Sequence, residues 1–75
     1  MRKRLTDLTQ GEKATIEELG DTELSIKLME MGCIPGENVT IEKIAPLGDP
    51  ISIFVSGYHL SLRLDEAEHI FVVTH

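Results

Sequence analysis

The side chains here that could bind a metal ion are three histidines, one cysteine and a cluster of carboxylates late in the sequence. Glu66 and His69 stand three residues apart, so on a helical turn they would share one face. In di-iron bundles a Glu-x-x-His pair works only where matching helices supply the remaining ligands. A single half-motif does not complete a site. We therefore predict no bound metal or cofactor and keep Glu66 and His69 as the pair to test; the other candidate ligands are Cys33, His59, His75, Asp65 and Glu68.

Cys33 is the one thiol that could act as a nucleophile. It follows a predicted helix end, where the negative pole of the helix dipole disfavours a thiolate. We expect it instead to be a small residue that fills space in the core. The sequence has neither a Gly-x-x-x-x-Gly-Lys nor a Gly-x-Gly-x-x-Gly loop for binding phosphates. We therefore predict that the protein is not an enzyme.

Length and charge narrow the classes of protein. The 75 residues predict a single domain, 1–75, and one cysteine forbids an internal disulfide, which fits a reducing cytoplasm. No apolar run reaches the roughly 20 residues of a membrane span. The net charge is −6 although Arg2, Lys3 and Arg4 are basic, so the rest of the chain would repel nucleic acid. We expect this basic tip to be a frayed terminus; the alternative is attraction to an anionic membrane.

One helix is predicted between two strands. The first strand covers residues 14–16, and Asp21 or Thr22 is placed to cap a helix that runs to about Met31. Within the helix, Leu24, Leu28 and Met31 fall at i, i+4 and i+7 and form its buried stripe. Ile26 and Met29 lie off the centre of this stripe, so we expect one or both to be partly exposed.

Glycines and prolines predict the turns. Gly32 stands where a helix ends in the left-handed conformation, and Pro35-Gly36 fits the centre of a type II turn. The segment that contains Gly48 and Pro50 predicts a stiff loop with Leu47 near its tip. These five residues, Gly32, Pro35, Gly36, Gly48 and Pro50, are structural predictions.

Alternating apolar residues predict the remaining strands. Residues 39–45, 51–55, 60–64 and 70–73 alternate, except that Ile44 is out of phase with Val39 and Ile41, which predicts a β-bulge or bend between Glu42 and Ile44. Residues 65–68 form a helical turn that Asp65 would cap. About five short strands, with one helix after the first and a helical turn before the last, predict a small, strongly bent barrel.

The ordered motifs resemble the FeoA family. They are Gly-Cys-Ile-Pro-Gly from Gly32, Pro-Leu-Gly-Asp-Pro from Pro46, Leu-Arg from Leu62, Glu-Ala from Glu66 and Ile-Phe-Val from Ile70. The resemblance runs from about Leu5 to Val72. It implies an SH3-like barrel and a cytoplasmic accessory protein of ferrous iron uptake. It also implies a partner, FeoB, which is a membrane permease with a GTP-binding domain and would hold the chain at the inner membrane.

Four apolar side chains are predicted to contact this partner: Ile26, Met29, Leu47 and Tyr58. Two alternatives stay open. One is a ferrous-iron carrier that uses Glu66, His69 and ligands from a second chain, and the other is a regulatory module related to the C-terminal domain of DtxR-type repressors. Pairing of two copies through strand 39–45 or the last strand is also open. The sequence does not indicate whether the protein activates, inhibits or scaffolds FeoB.

Overall fold

A computed structural model describes residues 1–20 and 22–75, apart from the side chain of Thr22. The predicted helix cap at Asp21 or Thr22 therefore lies outside the described residues. The helices are α1 (Thr22–Glu30) and α2 (Leu64–Ala67), and a 3-10 turn covers Leu5–Asp7. The strands are β1 (Arg2–Arg4), β2 (Lys13–Leu19), β3 (Asn38–Ile44), β4 (Ile51–Val55), β5 (Tyr58–Leu62) and β6 (Ile70–Val73).

The described strands form one antiparallel sheet in the order β1-β6-β2-β3-β4-β5. The prediction of a mostly β fold is confirmed, but there are six strands instead of about five, and α1 follows the second strand instead of the first. The sheet does not close, because β1 and β5 each pair with one neighbour only. The sheet therefore has two edges, at β1 and at β5.

The N-terminal strand β1 corrects the prediction of a frayed terminus. Arg2, Lys3 and Arg4 pair with Val73, Val72 and Phe71 of β6. The Thr74 N–H donates to the Met1 carbonyl over 3.0 Å. Arg2 is paired with Glu18, and its Nε lies 3.3 Å from Glu17 Oε1. The strand was missed because its partner lies at the far end of the sequence and its charged residues hide any alternation.

One aliphatic core lies between the sheet and the helices, as the alternation of the strands predicts. Leu28 of α1 and Leu5 of the 3-10 turn are fully buried among the strand residues. Cys33 is buried there too. Leu64 departs from the predicted alternation because it begins α2, and 39% of it is exposed. The buried strand residues are Ala14, Ile16, Val39, Ile41, Ile51, Ile53, Val55, Leu62, Ile70 and Val72.

A register shift bends β3. Ile41 pairs with Ile53 and Lys43 with Ser52, so Glu42 is the extra residue. The bulge is confirmed, one residue earlier than predicted. It turns Val39 and Ile41 inward while leaving Ile44 packed at the margin of the core.

The predicted cap of α2 is wrong. Asp65 lies inside the helix, which begins at Leu64. The Leu64 N–H donates instead to Asp49 Oδ1 over 3.1 Å, and the Arg63 N–H donates to Glu66 Oε1 over 2.9 Å. The helix is thus fixed by a carboxylate from the β3–β4 loop, which sequence spacing alone does not reveal.

Candidate partner-binding site

The end of α1 is locked against the turn between β4 and β5. Gly32 has a φ of +104°, and the Cys33 N–H donates to the Leu28 carbonyl over 2.9 Å, which closes the helix as predicted. The Glu37 N–H donates to the Ile34 carbonyl across Pro35-Gly36, and Gly36 has a φ of +97°, as a type II turn requires.

A side-chain hydrogen bond joins this helix end to the β4–β5 hairpin. Ser56 Oγ donates to the Gly32 carbonyl over 2.7 Å. Ser56 and Gly57 have φ values of +52° and +82°, which is the pattern of a type I′ hairpin turn. The helix end and the hairpin are therefore held at a fixed separation.

Between them lies an open groove of about 460 Å³, here called the α1–β5 groove. Its rim carries large apolar side chains: Met29 is 43% exposed, Ile34 44% and Tyr58 65%. The residues that line it are Met29, Glu30, Met31, Gly32, Ile34, Ser56, Tyr58 and Leu60. Thioether and aromatic side chains of this kind adapt to a partner surface and bury much area.

The structure brings two of the four predicted partner residues together. Met29 and Tyr58 both line the α1–β5 groove. Ile26 is 58% exposed on α1 but outside the groove. Leu47 is 96% exposed, yet its loop lies at the opposite end of β4 from the Tyr58 turn, about 17 Å away along a five-residue strand. Ile34 and Leu60 were missed because only the fold shows which apolar residues face the helix end.

Leu47 is presented on a closed loop. The Gly48 N–H donates to the Ala45 carbonyl over 2.7 Å, and the Ala45 N–H donates to the Pro50 carbonyl over 3.1 Å. Gly48 has a φ of +86°, and the peptide before Pro50 is cis. Together with the Asp49 contact to α2, the two hydrogen bonds hold the backbone on either side of Leu47, whose exposed side chain is separate from the groove.

The candidate metal ligands are engaged elsewhere. Glu66 accepts from the Arg63 backbone and lies 2.9 Å from Lys27 Nζ, and these two contacts hold the pKa of Glu66 below its ordinary value of 4.5. His69 Nε2 is 4.0 Å from Glu68, and His59 Nδ1 is 2.8 Å from Glu42. Among the described residues, no three histidine, cysteine or carboxylate side chains converge as a metal site needs.

The buried thiol of Cys33 is not set up for chemistry. Burial, with a smaller contribution from the negative charge of Glu66, raises the pKa of Cys33 to about 11. A nucleophilic cysteine needs the opposite shift. The thiol is therefore protonated at neutral pH and packs as a small apolar side chain.

Fold and site together define a class of protein: a small SH3-like module with an apolar groove between its helix end and a β-hairpin. The chain belongs to the FeoA domain family, because the model of that family matches residues 3–74. No helix in the described part of the chain has the length and apolar character needed to cross a membrane.

A curated relative is a fusion protein of Porphyromonas gingivalis that joins Fe(2+) transport protein A to the Fe(2+) transporter FeoB. It is 34% identical over 70 residues, which are 92% of this chain and 8% of the fusion. The present chain thus spans a small part of the relative that it matches.

The chain is similar to a number of solved structures. The FeoA-like protein of Clostridium acetobutylicum is 34% identical with a TM-score of 0.91, covering 97% of this chain and 86% of that one. The zinc complex of Stenotrophomonas maltophilia FeoA, an SH3 domain protein, is 27% identical with a TM-score of 0.82, covering 93% and 88%. IdeR of T. acidophilum is 25% identical with a TM-score of 0.85, covering 99% of this chain and 34% of the other. The predicted SH3-like fold is confirmed.

Proposed function

We propose that this chain is a non-catalytic accessory protein of ferrous iron uptake that docks on the cytosolic part of a FeoB-type permease. The observation that carries the proposal is the α1–β5 groove, a rigidly framed apolar surface. The Porphyromonas fusion supports the choice of partner, since it carries a similar segment and FeoB in one polypeptide. The chain would act in the cytoplasm and reach the inner membrane through this partner.

Docking regulates the permease only if it favours one of its conformations. The experiment is therefore capture of FeoB from the same organism, in detergent, with GDP and with a non-hydrolysable GTP analogue. Stronger capture in one nucleotide state is the expected result. Equal absence of capture in both states, from a folded sample, would overturn the proposal.

Substitutions locate the contact. Met29→Ala with Tyr58→Ala removes the apolar rim of the α1–β5 groove and should weaken capture at least tenfold, since buried aromatic anchors dominate such interfaces. Leu47→Ala tests the separate apolar point at the other end of β4. Phe54→Ala is the control, because Phe54 is similarly exposed at 39% but faces away from the groove. If the Met29→Ala/Tyr58→Ala variant and the Leu47→Ala variant both capture FeoB fully, these residues do not contribute to the contact.

A second candidate function, binding of a divalent metal, is favoured by the zinc complex of the Stenotrophomonas relative. Here the side chains that lie together form only partial ligand sets, His69 with Glu68 and His59 with Glu42. Titration with Fe(II) and with Zn(II) tests it. Stoichiometric binding that His69→Ala abolishes would support a carrier that uses Glu66 and His69, and binding lost only in His59→Ala would move the site to β5.

A further inference from the structure

The free edge of β5 differs from the other edge of the sheet. The β1 edge is three residues long and carries Arg2, Lys3 and Arg4, and such charge is a usual protection against pairing with another chain. The β5 edge is five residues long and contains no lysine, proline or bulge. An unprotected edge of this length is a template for an added strand.

The hairpin geometry fixes which backbone groups of β5 point outward. Val55 and Tyr58 close a two-residue turn, so they form a hydrogen-bonded pair, and the alternation of an antiparallel ladder follows from it. Leu60 and Leu62 then bond to β4, whereas the N–H and C=O groups of His59 and Ser61 face away from it. No backbone hydrogen bond between described residues outside the β4–β5 ladder engages His59 or Ser61.

The side chains beside this edge match an extended segment. Tyr58 and Leu60 project from the same face of β5, and both line the α1–β5 groove. A strand laid along β5 would place every second side chain on that face, over the apolar surface between β5 and Met29. Backbone bonds and alternate apolar contacts would thus act together, as in strand addition to other domains.

Charge indicates what kind of segment fits. Glu30 lines the groove, and the chain carries a net charge of −6. A second copy of this chain has the same net negative charge, which opposes its association; its basic β1 edge is the part that could pair with β5, and the amide exchange experiment below tests that case. A segment with lysine or arginine beside its apolar residues is complementary to this surface.

We propose that β5 accepts an extended, basic segment of the partner as a seventh strand, with the partner's alternate apolar side chains in the α1–β5 groove. This inference rests on the proposed function and specifies how the partner is bound. Strand addition requires the free N–H of Ser61, whereas docking through the side chains of the groove alone would not require it.

Ser61→Pro tests the backbone contact. Proline removes the outward N–H but no bond to β4, and edge strands tolerate it on that side. Capture of FeoB should fall about tenfold, and Ser61→Thr, which keeps the N–H, should bind as the unchanged chain does. If the unchanged chain captures FeoB and Ser61→Pro does so equally well, strand addition is wrong while docking stands. If the unchanged chain captures nothing, both proposals fail.

Residue-resolved amide hydrogen exchange avoids any folding defect of the variant. In the free chain the amides of His59 and Ser61 should exchange fast and that of Leu60 slowly. Bound FeoB should slow His59 and Ser61 at least tenfold. Unchanged exchange of the His59 and Ser61 amides in the complex would overturn the proposal. Protection of these amides that increases with the concentration of this chain alone would also overturn it, because it would show a second copy at β5.

Neutralising one carboxylate of the groove tests whether the bound segment is basic. Glu30→Gln should weaken capture severalfold at low salt and reduce its salt dependence. Glu37→Gln, a matched change outside the residues that line the groove, is the control. Equal effects of the two variants would contradict a basic segment at this position.

Discussion

Gly32 determines the geometry of the candidate site, because it ends α1 and its carbonyl accepts the hydrogen bond from Ser56 Oγ. An added Cβ would lie 3.3 Å from Ser56 Cβ, and the φ of +104° already disfavours an L side chain. Gly48 has a similar φ of +86°, but nothing lies within 4 Å of its added Cβ. The two positions therefore separate backbone strain from crowding.

We predict that Gly32→Ala lowers the free energy of unfolding by about 2 kcal/mol and Gly48→Ala by about 1 kcal/mol, the cost of a left-handed residue. Urea denaturation of both variants measures the difference. Equal losses would mean that Ser56 moves aside without cost.

Cys33 should be inert in the folded protein. With its pKa raised to about 11, only about one thiol in a thousand is ionised at pH 8. We expect iodoacetamide to leave the native protein unmodified at pH 8 while it alkylates the urea-unfolded chain fully, as mass spectrometry would show. Comparable rates in the two states would place the thiol at the surface.

At the scale of elements, the ion pair of Lys27 and Glu66 joins α1 to α2. The pKa of Glu66 is lowered by the Arg63 backbone bond and then by Lys27. Its contribution to stability is therefore fully present above pH 4.5 and is lost as the pH falls through the lower pKa of the folded state.

We predict that Glu66→Gln lowers stability at pH 6 and that its difference from the unchanged chain shrinks as the pH falls below 4.5. Thermal unfolding between pH 2.5 and 7 measures this. Lys27→Gln, which leaves the backbone bond of Arg63 intact, should show a smaller difference at pH 6. A constant difference at every pH would assign the loss to packing instead.

Elements defined by neighbouring residues were predictable. The stripe of Leu24, Leu28 and Met31 and the turn at Pro35-Gly36 depend on spacing within a few residues, and both are present. The cap of α2 was not predictable, because Asp49 reaches it from another loop. The groove was half predictable: helical spacing exposes Met29, but Ile34 and Leu60 join it only through tertiary packing.

At the scale of the molecule, β1 completes the sheet. We predict that deleting residues 1–4 lowers the free energy of unfolding by about 2 kcal/mol, because it removes the ladder to β6. Arg2→Gln, which keeps that ladder and loses the exposed pairs with Glu17 and Glu18, should cost less than about 1 kcal/mol. Urea denaturation measures both losses. An unchanged midpoint after the deletion would show that residues 1–4 do not stabilise the fold, as expected of a frayed terminus.

The place of β6 between β1 and β2 sets the order in which the chain can be assembled. Until residues 70–73 have left the ribosome, β1 has no partner and one side of β2 is bare. The contacts that complete the sheet therefore join residues nearly the whole chain apart, and such topologies fold in milliseconds to seconds, more slowly than helical domains of this size. During synthesis the exposed side of β2 is the part of the nascent chain that a chaperone would need to cover.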